Sequence, residues 1–282
     1  MKWDKRRKMF RSMLSKEECY FPGSVSDPLS ARMAEEIGFE VGMFAGSIAS
    51  MAVLGAPDLT LLTLSEFSDQ AHRICRSCER PIIVDADHGY GNALNVMRTV
   101  ESLEIAGVSA LSIEDTELPL SFGNNDKPQL ISIEEGVGKM RAALKARTDP
   151  NLVIMGRTSA PILTNMDDTL KRVIAYADTG VDVIFLVGLN SREDLKAISQ
   201  NIMKPIMLGG ISADLNDKSY LASQNVKFCL QGHSPYFEGM KATYQTLYKL
   251  RNDSKENTTN LDDLIHKMTM EQSYLKLIKD YM

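Results

Sequence analysis

The chain has 282 residues, 44% of them hydrophobic and 24% charged, with a formal net charge of −5. That is enough chain to bury a core without disulfide or metal staples, and an acidic balance with no basic patch argues against nucleic acid as a partner. No run approaches the ~20 apolar residues of a membrane span, and the basic start (Lys2, Lys5, Arg6, Arg7, Lys8, Arg11) is not followed by the apolar stretch of a signal peptide, so a cytoplasmic protein with no membrane contact is expected.

Short apolar runs predict strands near 20–24, 39–44, 81–85, 109–113, 152–156, 182–187, 205–208 and 227–231. Pro81-Ile82-Ile83-Val84, Leu152-Val153-Ile154-Met155 and Val181-Asp182-Val183-Ile184-Phe185-Leu186 are continuously apolar rather than alternating, as strands covered on both faces are. Helical patterns lie between them. Asp27-Pro28 opens one, with Asp as N-cap and Pro in the first turn. Residues 92–106 carry Ala93, Val96, Met97, Val100, Leu103 and Ile105, and Gly107 ends the pattern. Thr179-Gly180 stops another before the strand at 182. Eight strand–helix units predict a (β/α)8 TIM barrel over 1–250, with a doubly wound sheet as the alternative. Residues 251–258 (RNDSKENT) read as a charged linker. Leu261, Leu264, Ile265, Met268, Leu275 and Ile278 then give the helical tail an apolar stripe that must be buried somewhere. The cysteines are Cys19, Cys75, Cys78 and Cys229. The Cys75–Cys78 spacing, preceded by His72, has no second pair at zinc-finger distance and sits late in a helix, so reduced structural or surface thiols are expected.

In a barrel of this kind chemistry gathers where strands end. Gly46-Ser47 follow the second strand, Asp85 and Asp87 the third, Glu114 and Asp115 the fourth, Arg157 the fifth and His233 the eighth. Asp85, Asp87 and Glu114 in one mouth would repel and raise one another's pKa values. A hard cation on oxygen ligands and water removes that cost, and Asp58 could join the shell. Gly46-Ser47 offer N–H groups and a hydroxyl for an anion, or an ordinary N-cap serine. Arg157 suits bidentate binding of a carboxylate, or a structural ion pair. His233 could contact substrate, move a proton, or be structural. Tyr90 could donate into the site or pack the turn, and His88 is expected to face the loop. The polar loop 117–130 is long enough to be functional.

The segment VDADHGYGNALNVMRTVESLEIAGVSALSIEDTELP, with FPGSVSDPLSARMAEEIGFEVGMFAGSIAS, LTLSEF, ISIEEGVGKMRAALKAR, GRTSA and QGHSPYF, resembles the isocitrate lyase/phosphoenolpyruvate mutase superfamily over about residues 9–250. The match is nearest its oxaloacetate decarboxylase branch. The resemblance implies a lyase that decarboxylates oxaloacetate or a close small-molecule 2-oxo diacid, with Mg2+ (or Mn2+) as cofactor. It implies Asp85 as direct metal ligand, Asp87, Glu114 and Asp58 acting through water, and Gly46, Ser47, Arg157 and His233 contacting substrate. Asp85, Arg157 and His233 are then the catalytic set. It also implies a homotetramer, a dimer of dimers, with exchange of C-terminal helices between subunits left open. A 2,3-dimethylmalate lyase-like enzyme, a phosphonate mutase or hydrolase, and a 2-oxo acid binding barrel are the alternatives.

Two departures bear on substrate. The 117–130 loop has no Cys, His or Arg, so a thiol acid or base of the kind used by lyases of longer acids is absent, and it lacks the Lys-Thr-Asn-Ser run of the mutases. Leu208-Gly209-Gly210-Ile211 also stands where decarboxylase relatives carry a tyrosine after the seventh strand.

Overall fold

The computed structural model describes residues 2–123, 128–252 and 259–282, the side chain of Lys2 excepted. Part of the 117–130 loop (124–127) and most of the expected linker (253–258) lie outside the described residues. Eight parallel strands follow one another in chain order: β1 Gly23–Ser24, β2 Gly42–Phe44, β3 Ile82–Asp85, β4 Ala110–Glu114, β5 Val153–Thr158, β6 Val183–Val187, β7 Ile206–Gly209 and β8 Val226–Leu230. The Tyr20 N–H donates to the Lys227 carbonyl (2.7 Å) and the Cys229 N–H to the Tyr20 carbonyl (2.9 Å), joining β8 back to the start of the sheet. Sequential parallel order with helical crossovers is the (β/α)8 barrel, and the doubly wound alternative is excluded because that fold requires its strand order to reverse.

The helices begin and end where the sequence signals them. Asp27 caps α2 (Pro28–Ile37) by accepting from the Leu29 and Ser30 N–H groups, and Gly38 ends it at φ 103°. Asn92 caps α5 (Ala93–Ala106), and Gly107 closes it at φ 97°, a left-handed angle that glycine adopts at little cost. Val96, Val100 and Leu103 are fully buried, whereas Ile105, expected on the same face, is 74% exposed. The remaining crossover helices include α3 (Gly46–Ala49), α4 (Leu64–Ser77), α6 (Ile133–Ala146), α7 (Ala160–Leu163), α8 (Met166–Asp178), α9 (Arg192–Asn201) and α10 (Lys218–Ser223).

Apolar packing falls into two layers. One lies between sheet and helices and includes Phe44, Phe67, Ile82, Val84, Leu111 and Ile154. The other fills the barrel and includes Met43, Ile83, Ala110, Val153, Met155, Val183, Phe185, Met207 and Phe228. Helix α1 (Lys2–Met13) closes the bottom. Phe10 is fully buried and stacks on Phe228 with centroids 4.7 Å apart. The basic start therefore has a structural use. Arg6 donates to the Cys75 carbonyl, Arg7 to the Val108 carbonyl (2.9 Å) and Asp149 (2.9 Å), and Arg11 to Asp182 (3.0 Å). All four cysteines are free and buried, which removes the surface-thiol reading.

After β8 the chain runs into α11 (Ser234–Arg251), which has no buried residue along its 18 positions. Beyond it, α12 (Leu261–Met268) and α13 (Glu271–Tyr281) form, and of the expected stripe only Leu264 is buried. Leu247 and Leu250 of α11 are 61% and 79% exposed. Among the described residues, no helix is long and apolar enough to cross a membrane.

Candidate active site

Residues two apart on a strand share a face. Inside the barrel this stacks Ile83 below Asp85, Ala110 below Ser112 and Glu114, Val153 and Met155 below Arg157, and Val183 below Phe185. The interior is thus apolar at depth and polar at its C-terminal mouth. Register sets Asp85 beside Ser112, Glu114 beside Arg157, and Arg157 beside Phe185. The contacts follow from that register. The Ser112 hydroxyl donates to Asp85 Oδ1 (2.8 Å). Arg157 donates through Nη1 to Asp85 Oδ2 and pairs through Nη2 with Glu114 Oε2 (3.1 Å). Its guanidinium carbon lies 5.4 Å from the centroid of the Phe185 ring, within cation–π range.

Asp87 reaches the mouth from the turn after β3. Its backbone is left-handed (φ 47°), and its carbonyl accepts from the Glu114 N–H (2.8 Å). Gly46, at the end of the β2 connection, makes room for it: a Cβ there would stand 2.5 Å from Asp87 Oδ1 and 2.7 Å from Oδ2. Ser47 is the second residue of α3. The N-cap is Ala45, without a side-chain hydrogen bond, so the N-cap serine alternative does not hold. His233 lies with Nδ1 2.8 Å from the Ser24 hydroxyl, an orientation that ties β1 to the end of β8. Asp58 stays exposed on the loop after Ala56-Pro57.

Crowding of like charge decides the electrostatics. Burial, and then Asp85, Glu114 and Asp58, push the Asp87 carboxyl well above the usual range, with Arg157 opposing. Burial also raises Glu114, with Arg157 pulling it back and Asp85 pushing it further up. At the rim, partial desolvation and then the charge of Asp85 raise Asp58, in a position where water screens both. Burial alone would lower the Arg157 guanidinium, but Asp85, Glu114 and Asp87 outweigh it and hold the group charged. Burial lowers His233, and Asp85 works against that shift.

Other strand-end residues turn elsewhere. Asp115 is fully buried behind β4, where Arg172 (3.0 Å) and the Tyr176 hydroxyl (2.7 Å) donate to its Oδ2. His88 is buried, with burial and then Lys139 pushing it down to about 4, and its carbonyl accepts from Lys139 Nζ (3.1 Å). The Tyr90 hydroxyl is buried without a hydrogen-bond partner among the described residues. Ser112, Ser24 and Phe185 are contributors that strand-end reading missed. The signal for two of them was present: Ser112 precedes Glu114 by two positions, and Phe185 is the inward residue opposite Arg157. Gly209 is explained by the same layer, since a Cβ there would sit 3.0 Å from the Phe185 ring.

Four carboxylates, Asp58, Asp85, Asp87 and Glu114, thus face one guanidinium, and an additional cation fits that balance. Among the described residues, no three His, Cys, Asp or Glu side chains close on a single metal position. A hard cation held here would touch one or two of these carboxylates and keep several waters, since no full protein cage is present among the described residues.

Fold and mouth together define a (β/α)8 barrel whose acidic C-terminal opening is bridged by one arginine. The phosphoenolpyruvate phosphomutase family model matches residues 10–251, and the chain belongs to that family. An oxaloacetate decarboxylase of Bradyrhizobium diazoefficiens is 54% identical over 251 residues, covering 89% of this chain and 87% of the relative. Another, from Bradyrhizobium sp. strain ORS 278, is 46% identical over 280 residues, covering 98% and 97%. The solved structure of an oxaloacetate acetylhydrolase in complex with the inhibitor 3,3-difluorooxalacetate superposes with a TM-score of 0.80 at 25% identity, covering 98% of this chain and 97% of that one.

Proposed function

We propose that the protein decarboxylates oxaloacetate to pyruvate and CO2 with a divalent cation, Mg2+ or Mn2+. The observation that carries the reading is the Asp85–Arg157–Glu114 constellation at the barrel mouth, in a chain 54% identical to an oxaloacetate decarboxylase. Asp85 is the direct ligand, and Asp87, Glu114 and Asp58 hold the cation's waters. When bound, the cation supplies Lewis-acid stabilisation of developing negative charge. The chain's own groups do the rest. Arg157 presents planar paired donors to a substrate carboxylate and fixes its orientation. Gly46 and Ser47 contact the oxo-acid end. His233, with Nδ1 engaged by Ser24, keeps Nε2 for the distal part of the substrate or for proton delivery. In the reaction the C3–C4 bond breaks, C4 leaves as CO2, and the electron pair passes to the C2 oxygen as the enolate of pyruvate. Protonation at C3 completes the product. Product analysis across 2-oxo and 2-hydroxy diacids tests the assignment. Pyruvate and CO2 from oxaloacetate, without cleavage of the hydroxy acids, is expected. Faster cleavage of a 2-hydroxy diacid would sink it.

We also take residues 1–250 as the catalytic barrel and 251–282 as an extension, supported by the family match ending at 251. A cytoplasmic location is supported by four buried free thiols, which suit a reducing compartment. The assembly is read as a homotetramer, a dimer of dimers with exchanged C-terminal helices. Its support is the unburied α11 beside a cavity of about 920 Å³ lined by Leu29, Met33, Ile37 and Leu247. Light scattering should give four times the 31.4 kDa chain mass, and Leu247→Glu with Leu250→Glu should lower it. A wild-type monomer would refute the assembly.

A further inference from the structure

Arg157 has two claims on it that cannot be met together. Its Nη1 holds Asp85 Oδ2 and its Nη2 lies 3.1 Å from Glu114 Oε2. These donors are the flat pair that would otherwise grip a carboxylate of the substrate. Asp85 is engaged on both oxygens: Oδ1 accepts from Ser112 (2.8 Å) and Oδ2 from the guanidinium, so a cation that approaches Asp85 through Oδ2 meets the guanidinium's charge at the same atom. The guanidinium also has latitude. Its Nε is buried without a hydrogen-bond partner among the described residues, and its guanidinium carbon lies 5.4 Å from the centroid of the Phe185 ring, a non-directional cation–π contact that does not fix it in one position.

We infer that Arg157 is an internal competitor for the cation site, so that cation binding at Asp85 releases the guanidinium and thereby creates the site for the substrate carboxylate. The inference rests on the metal reading above and goes beyond it by assigning an order, cation before substrate, and a cause for that order. A dication at Asp85 and a guanidinium on the same oxygen repel, and each competes for the same lone pairs. Thermodynamic reciprocity then requires that an anionic ligand which engages the freed guanidinium tighten the cation in turn. Arg157 therefore weakens cation binding when no anion is present and strengthens it when one is. The forked guanidinium bridges the two carboxylates with planar paired donors, a geometry that an ammonium on a flexible stem does not reproduce.

The test uses the full-length protein and Mn2+ alone, followed by electron paramagnetic resonance of the free ion, then repeated with oxalate as the dianionic probe. Arg157→Gln should bind Mn2+ about tenfold more tightly than wild type without oxalate, within the range of coupling between neighbouring sites. It should also lose most of the tightening that oxalate confers on wild type. Arg157→Lys keeps the charge but not the fork, and should fall between the two without oxalate. If Arg157→Gln is too unstable to study, Arg157→Lys decides alone. Equal or weaker Mn2+ binding by Arg157→Gln overturns the competition, as does Arg157→Lys binding with wild-type affinity. Failure of the underlying metal reading is a different result: wild type itself would bind no Mn2+, or Asp85→Ala would bind it as well as wild type.

Discussion

Replacing Gly46 with alanine perturbs the packing that positions Asp87 at the mouth. The new Cβ would lie 2.5 Å from Asp87 Oδ1, 2.7 Å from Oδ2 and 2.9 Å from Cγ, and real Cβ contacts below 3.0 Å essentially never occur. The Asp87 backbone cannot retreat freely, because its carbonyl is held by the Glu114 N–H at 2.8 Å and its φ is already 47°. The carboxylate must therefore swing by roughly half an ångström or more, out of a preferred rotamer, at a cost of about 0.5–1.5 kcal/mol. Stability should fall by no more than about that amount, whereas displacing a positioned group by about 1 Å is worth on the order of a hundredfold in rate. Steady-state pyruvate formation from oxaloacetate, beside urea denaturation of the same preparations, separates the two effects. The expected result is a loss of about tenfold to a hundredfold in kcat/KM with near-wild-type stability, the larger figure if the carboxylate moves by the full ~1 Å. Activity within twofold of wild type would refute the claim that the Asp87 carboxylate is positioned through Gly46.

Two further predictions concern the base of the barrel. Phe10→Ala removes a fully buried ring stacked on Phe228, which should cost about 3–5 kcal/mol in urea melts while leaving KM unchanged in the folded fraction. Asp149 has its pKa lowered: burial opposes the shift, but hydrogen bonds from Arg7 and Asn151 prevail. A depressed carboxyl stabilises the fold above its unfolded pKa and ceases to do so as pH falls through its folded value. Asp149→Asn should therefore cost about 2 kcal/mol at pH 7, the worth of a hydrogen-bonded charge pair, and the gap to wild type should close below pH 4.

The parts of the fold set by local pattern were legible. Continuous apolar runs marked β3, β5 and β6, and Asp27, Asn92 and Gly107 marked helix ends, because these signals act within a turn or two of chain. The mouth was legible in outline, since chemistry-bearing residues follow strand ends in a barrel. What the strand-end list could not separate was orientation. Glu114 and Asp115 are adjacent in sequence but face opposite ways, one into the barrel and one onto Arg172 and Tyr176. Long-range partners were illegible for the same reason. Arg6, Arg7 and Arg11 read only as part of a basic start, because their carbonyl and carboxylate partners lie 69 to 171 positions away. By sequence alone Arg157 suits either an ion pair or a substrate carboxylate. The geometry gives it the ion pair with Asp85 and Glu114, and the function proposed for it needs those same donors.

The most direct test of the account is pyruvate formation from oxaloacetate by wild type and Asp85→Ala in the presence of Mg2+, corrected for spontaneous and free-metal decarboxylation. The account predicts turnover by wild type that is lost on chelation, and none above background from Asp85→Ala when that variant remains folded. Undiminished turnover by folded Asp85→Ala would contradict it.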